Sequence, residues 1–85
     1  MIEKKLTITN DRGLHFRPSC MLAEEANKYD CDVFVRHNDK TIRGKTSIHL
    51  FAACVPQGDE ITIVCDGKDE KKAMAALTKL IKSFD

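Results

Sequence analysis

Hydrophobic and polar residues alternate along the first part of the chain. Between residues 2 and 9, Ile2, Leu6 and Ile8 fall on one face, and the opposite face carries charged residues and threonines. This period of two predicts a β-strand with one solvated face. The polar and glycine-containing stretch at residues 10–13 ends it.

Two segments have the spacing of an amphipathic helix. Residues 16–28 repeat small apolar side chains at helical intervals, and Pro18 falls in the first turn, where a missing N–H costs nothing. The closing segment opens with Asp69 and Glu70, whose negative charges the helix dipole favours in a first turn. It then carries the clearest apolar stripe of the chain, formed by Ala73, Ala76, Leu77, Leu80, Ile81 and Phe84.

The middle of the chain predicts three further strands and one short helix. Residues 32–36 alternate with a period of two, a turn follows at Asn38-Asp39, and residues 40–44 form the second half of the hairpin. One or two helical turns are predicted within residues 46–54. Another alternating stretch predicts the fourth strand over residues 61–66.

The predicted order of elements is therefore βαββαβα. One-faced strands separated by helices indicate a single four-stranded antiparallel sheet with three helices, one of them short, on one face. This is an α+β fold of the split-βαβ kind, in two layers, with the other face of the sheet solvated. The length of 85 residues allows one domain, spanning residues 1–85.

The charge balance narrows the choice of partners. The chain has 14 basic and 13 acidic residues, a net charge of +1, which argues against nucleic-acid binding and against a polybasic membrane-surface protein. No apolar stretch is long enough to span a bilayer, and the alternating N-terminus has no signal-peptide core. We therefore expect a cytoplasmic protein whose partners are small molecules or other proteins.

Four cysteines are spread along the chain, at Cys20, Cys31, Cys54 and Cys65. They form no C-x-x-C pair and have no histidine at metal-ligand spacing. Without a secretory signal, we expect free thiols that serve as small apolar side chains and no metal site. Metal binding is the second interpretation.

The stretch GLHFRPS at residues 13–19 carries the candidate chemistry. Gly13 permits a turn, and His15 lies immediately before a helix whose first turn contains Arg17 and Pro18. A helix N-terminus has unpaired N–H groups and a partial positive charge, so it attracts anions. Arg17 adds a planar cation that matches phosphate oxygens. Because neutral imidazole is a nucleophile, the arrangement suits a histidine that accepts a phosphoryl group and passes it on.

A plainer interpretation of these residues competes with the first. A single histidine before a helix is usually a solvated residue of the cap region, and this is how we interpret His37 and His49. On physical grounds alone, phosphoryl chemistry at His15 is the minority hypothesis.

The GLHFRPS motif resembles the phosphorylation site of the HPr family, the histidine-containing phosphocarriers of the bacterial phosphoenolpyruvate-dependent sugar phosphotransferase system. The similarity covers the length, the order of elements, and the stretches NKYDCDVFV, GKTSI, QGDEITI and DEKKAMAALTKLI. It implies an open-faced β-sandwich with four antiparallel strands and three helices. It also implies a carrier rather than an enzyme, and one that needs no cofactor.

The resemblance further implies a route for the phosphoryl group. The first enzyme of the system would pass the group to Nδ1 of His15, and His15 would pass it to the A domain of a sugar-specific transporter. Arg17 would neutralise phosphate charge in both transfers. Supporting roles would fall to the N–H groups of the first helix and to Phe16 and Pro18. Arg12 stands where the family often has a small polar residue, so it either adds a second cation that helps to hold the phosphate or is a solvated loop charge.

The family's partner-docking surface lies around the histidine and the short helix. It maps here to Phe16, Arg17, Cys20, Thr46, Ser47, Ile48 and Phe51. An apolar surface rimmed by cations suits transient association with acidic partners. Leu50, in the same segment, is expected in the core.

Thr46 stands where many Gram-positive members carry a second, regulatory phosphorylation site on a serine, and Ser47 follows it, where the family usually has an apolar residue. There a serine kinase or phosphatase and a catabolite regulator would be further partners. A phosphate at this place would add negative charge and repel acidic docking partners. The alternative, which we favour, is that Thr46 or Ser47 simply caps the short helix.

Two other functions stay open. An HPr-like regulatory protein could dock on a kinase or a transcription regulator rather than serve sugar uptake, although a pure docking module has no need of His15 and Arg17. An unrelated split-βαβ module could bind a ligand or RNA, but the sheet face lacks an aromatic stacking pair. A monomer is expected in each case.

Overall fold

The computed structural model describes residues 1–84 and has the predicted element order. The strands are β1 (Ile2–Thr7), β2 (Asp32–His37), β3 (Lys40–Arg43) and β4 (Glu60–Asp66). The helices are α1 (Phe16–Ala26), α2 (Ser47–Ala52) and α3 (Glu70–Ser83). Within the described residues no helix has both the length and the apolar character needed to cross a membrane.

The four strands form one antiparallel sheet in the order β1-β4-β2-β3, which confirms the predicted α+β architecture. Ile63 of the inner strand β4 lies opposite Lys4 on one side and Val35 on the other. Ile63 and Val35 are fully buried, together with Leu22 of α1 and Leu77 of α3. The core therefore fills the single layer between the sheet and the helices.

The outer face of the sheet is only partly open to solvent. The guanidinium of Arg36 donates two hydrogen bonds of 3.2 Å to the Glu3 carboxylate, reaching across β4. On this outer face Val64 lies in register between Glu3 and Phe34 and is buried, although the other face of the sheet was predicted to be solvated. Long side chains on the flanking strands can thus cover an apolar residue outside the main core.

Two buried residues of α3 lie outside its predicted apolar stripe. Met74 and Thr78 are buried, whereas Ala76 and Leu80 are only half-buried. The helix rests on the sheet and also packs beside α1, so its buried face is wider and rotated from the stripe.

The prediction that His37 is a solvated residue is wrong. Its side chain is only 7% exposed, and its Nε2 lies 2.7 Å from Oδ2 of Asp59. The carboxylate gives the buried imidazole a polar partner, which makes its burial tolerable. His49 is exposed, as predicted.

Candidate functional site

A short loop fixes the backbone that leads to His15. Gly13 adopts a left-handed conformation with φ of +64°, and an added Cβ there would collide with the carbonyl oxygen of Val55. The next residue, Leu14, is buried and donates its N–H to the same carbonyl at 2.8 Å. The buried amide of Asn10 donates to the carbonyl of Gly13. Only glycine fits this close approach of two backbone segments.

His15 occupies the N-cap position of α1 in an extended conformation. Its carbonyl accepts two bonds from Ser19, one from the N–H at 3.1 Å and one from the hydroxyl at 2.8 Å. The imidazole itself makes no capping hydrogen bond and is half-exposed. The backbone of His15 is therefore held while its ring stays available to an incoming group.

The ring of His15 opens onto a cavity of about 280 Å³ at one end of the helical layer. The cavity is lined by His15, Arg17, Pro18, Met21, Ser83 and Phe84. The structure thus brings the predicted nucleophile and the predicted phosphate-binding cation into one pocket. The pocket also contains residues that the sequence did not suggest. These are Met21 in the middle of α1, and Ser83 and Phe84 at the C-terminal end of α3.

The first turn of α1 offers few but well-placed hydrogen-bond donors. The N–H groups of Phe16 and Arg17 have no acceptor inside the helix. Pro18 has no N–H, and the N–H of Ser19 is already bonded to His15. The first turn also contains no acidic residue to compete for these donors. Two amides and the helix dipole can therefore serve an anion beside His15.

Arg12 does not line this pocket. It is exposed in the loop that precedes Gly13. Of the two arginines predicted to support a phosphate, only Arg17 lies in the cavity with His15.

The candidate docking residues form an exposed apolar surface beside the pocket. Phe16 is 61% exposed, Phe51 47% and Ile48 72%. The rings of Phe16 and Phe51 meet edge to face, so α1 and α2 contribute to one surface. Cys20 is half-buried in α1. Leu50 is fully buried, which confirms its predicted place in the core.

Thr46 and Ser47 lie at the beginning of α2, and both are half-buried. Thr46 occupies the N-cap position, but its side chain makes no capping hydrogen bond. The preferred interpretation, that a hydroxyl here caps the helix, is therefore wrong for Thr46. The preceding Lys45 donates its ammonium to the carbonyl of Tyr29 at 3.1 Å, which ties this end of α2 to the segment after α1.

Comparison with known proteins places this geometry in a family. Residues 2–83 match the family described as "PTS HPr component phosphorylation site". The phosphocarrier protein HPr of Neisseria meningitidis is 34% identical over 84 residues, which cover 99% of this chain and 94% of that one.

Solved structures agree with the sequence match. HPr of Thermoanaerobacter tengcongensis superposes with a TM-score of 0.93 at 31% identity, covering 98% of this chain and 93% of that one. The catabolite repression protein Crh of Bacillus subtilis, described as a dimer with a swapping domain, superposes with a TM-score of 0.77 at 29% identity. That match covers 96% of this chain and 94% of Crh. The relatives thus include both a phosphocarrier and a catabolite repression protein.

Proposed function

Because the chain belongs to the HPr family of phosphocarrier proteins, we propose that His15 is the residue that accepts and donates the phosphoryl group. The observation that carries the proposal is the shared pocket of His15 and Arg17 at the N-terminus of α1. A nucleophile, a permanent cation and free helix amides meet there, as a transferred phosphoryl group requires.

The proposed transfer exchanges one phosphorus–nitrogen bond for another. Nδ1 of neutral His15 attacks the phosphorus carried on a histidine of the first enzyme of the phosphotransferase system. The bond from phosphorus to the donor nitrogen breaks, and its electron pair returns to the donor imidazole. The same exchange, with His15 as donor, delivers the group to the A domain of a sugar-specific transporter. No hydrolysis occurs in either step, so the transfer potential of the group is kept.

Residues around His15 are proposed to stabilise the charge of the phosphoryl oxygens. The guanidinium of Arg17 pairs with two oxygens, and the N–H groups of Phe16 and Arg17 hold the remaining one. Pro18 fixes the backbone of the first turn of α1, and it has no N–H group that would itself need an acceptor. Because the imidazole is half-exposed, a partner can reach the phosphorus directly from solvent.

The two partners are proposed to dock on the same apolar surface, which includes Phe16, Ile48 and Phe51. Sharing one surface makes the carrier bind its donor and its acceptor in turn and not together. Cys20 and Thr46 border this surface and Ser47 begins the helix that presents it. In this proposal the protein works as a monomer in the cytoplasm.

Regulation is the second candidate function, and the similarity to Crh favours it. In this alternative the protein docks on a kinase or a transcription regulator, and the modified residue is Thr46 or Ser47. The hydroxyl of Thr46 supports it, because that hydroxyl is not used in a helix cap.

The carrier proposal is tested by mixing the protein with phosphoenolpyruvate and a first enzyme of the family. We expect a phosphate that is labile in acid and stable in base, absent from His15→Ala and retained in the control His49→Ala. Undiminished label on His15→Ala would contradict the proposal. A chase with transporter A domains then separates the two functions, since a purely regulatory protein either takes no label from the first enzyme or keeps it in the chase.

A further inference from the structure

A second concave surface lies between α3 and the edge strand β1, apart from the His15 pocket. It has a volume of about 600 Å³. Its lining residues are Ile2, Lys4, Lys71, Met74, Ala75, Thr78, Lys79 and Lys82. The residues from α3 recur at intervals of three and four, so they form one face of that helix. We call this surface the lysine groove.

Four lysines rim this groove, and none of them forms a salt bridge within residues 1–84. Among residues 1–84, no carboxylate lies within salt-bridge distance of Lys4, Lys71, Lys79 or Lys82, and no acidic side chain lines the groove. The nearby acids Asp66 and Glu70 lie 3.6 and 3.1 Å from the amino group of Met1. Four like charges that face one groove repel each other, and an anionic ligand would relieve that repulsion.

Lys4 interrupts the apolar face of its own strand. It lies opposite Ile63, between Ile2 and Leu6, and so belongs to the face of β1 that is directed at the helices. An inward charge on an edge strand can serve to prevent pairing with other chains. That role does not account for three further lysines on the facing side of α3.

Thr78 lies in the wall of the groove, but its hydroxyl is shielded from it. The residue is only 8% exposed, and its Oγ1 is buried, with no hydrogen-bond partner among the described residues. The groove therefore offers a ligand its lysines and its apolar side chains.

We propose that the lysine groove binds an acidic segment of a partner protein. Apolar side chains of that segment would rest on Ile2 and Met74, and its carboxylates would pair with the lysines. The groove is open and elongated, which fits a peptide better than a compact metabolite. A lipid surface fits it poorly, because the exposed aromatic residues that could enter a bilayer lie on α1 and α2.

This interaction is independent of the carrier chemistry. His15 and Arg17 do not line the groove, so both surfaces can be occupied at once. The groove would give a partner a second point of attachment, and two attachments raise the effective concentration of each site for the other.

The test measures binding of a fluorescent peptide that alternates glutamate with leucine, with a glutamine-for-glutamate peptide as the reference. The groove variant is Lys4→Gln with Lys79→Gln. Its matched control is Lys5→Gln with Lys72→Gln, which removes the same charge from the same two elements outside the groove. We expect the groove variant to weaken binding by roughly three- to tenfold, and the control to leave it unchanged. Higher salt should weaken binding to the wild type.

A further measurement keeps the test decisive. His15→Ala should bind the peptide as tightly as the wild type. Equal binding by the two double variants, or amide shifts confined to α1 and α2 on peptide addition, would overturn the proposal. Binding to phosphatidylglycerol vesicles but not to the peptide would overturn it as well.

Discussion

The rings of Phe16 and Phe51 meet edge to face, with centroids 5.8 Å apart and an interplanar angle of 89°. Phe16 directly follows His15, so this contact connects the candidate nucleophile to the short helix α2. Both rings remain largely exposed, which is unusual for aromatic side chains in a monomer unless a partner covers them.

Phe51→Ala should weaken the docking of partners more than it weakens the fold. Half of the Phe51 side chain is already exposed, so the fold loses little beyond the contact with Phe16, which is worth about 0.5–1.5 kcal/mol. We expect a higher KM for transfer from the first enzyme, and a melting temperature lower by only several degrees. Phe51→Leu is the control that keeps apolar area. An unchanged KM in Phe51→Ala would show that Phe51 does not contribute to docking.

Arg17→Gln should slow phosphoryl acceptance much more than Arg12→Gln. Only Arg17 lines the cavity with His15, and hydrogen bonds to a charged group contribute about 1.5–3 kcal/mol. This corresponds to a loss of roughly ten- to a hundredfold in rate, measured by rapid quench with labelled first enzyme. Equal effects of the two variants would show that long-range charge, not contact in the pocket, assists transfer.

The motif around His15 led to the hypothesis of a nucleophile with a neighbouring cation, and the structure places His15 and Arg17 in one cavity. Alternation was sufficient to predict the sheet. The pocket as a whole could not be predicted in this way. Ser83 and Phe84 line the pocket only because α3 ends beside the beginning of α1. From the sequence alone, Phe84 was interpreted as the last residue of the apolar stripe of α3. Likewise, nothing local to His37 indicates that Asp59 lies beside it in the folded chain.

Thr46→Ala should leave stability almost unchanged. Replacing a threonine that caps a helix by alanine lowers the free energy of unfolding by about 1 kcal/mol. The Thr46 hydroxyl, however, makes no capping hydrogen bond. We expect a difference of less than about 0.5 kcal/mol in the free energy of unfolding, measured with urea. A larger loss would restore the capping role.

A serine kinase of the family, supplied with ATP, should label Thr46 with phosphate that survives acid. The expected site is Thr46 because it occupies the N-cap position of α2 and its hydroxyl makes no capping bond. Thr46→Ala should remove the label and Ser47→Ala should keep it, as read by mass spectrometry. If instead Ser47→Ala removes the label and Thr46→Ala keeps it, the modified residue is Ser47. No label on the wild type would argue against regulation at this helix.

The four thiols should react in two groups. Cys54 is exposed and Cys20 half-buried, whereas Cys31 and Cys65 are buried. Burial raises the pKa of Cys31, and it raises the pKa of Cys65 from 9.0 to about 11. A thiol reagent at neutral pH should therefore modify Cys54 and Cys20 first, and Cys54→Ser should lose one fast equivalent. Equal reaction rates at all four cysteines would contradict the burial of Cys31 and Cys65.

The same pKa shift predicts a dependence of stability on alkaline pH. Because the folded pKa of Cys65 lies above the unfolded value, the neutral thiol contributes stability that is complete below pH 9.0 and is lost as the pH rises toward about 11. Cys65→Ala should flatten this part of the pH profile, measured by urea unfolding. If the variant loses stability with pH in the same way as the wild type, the loss at alkaline pH comes from titrating groups other than Cys65.

The bond from the Leu14 amide to the Val55 carbonyl makes the pocket depend on residues that are far apart along the chain. The cavity also needs the end of α3. Closing so long a loop costs conformational entropy, which the packing of the whole domain must offset. A short peptide with the sequence GLHFRPS would therefore lack both the fixed backbone before His15 and the cavity beside it.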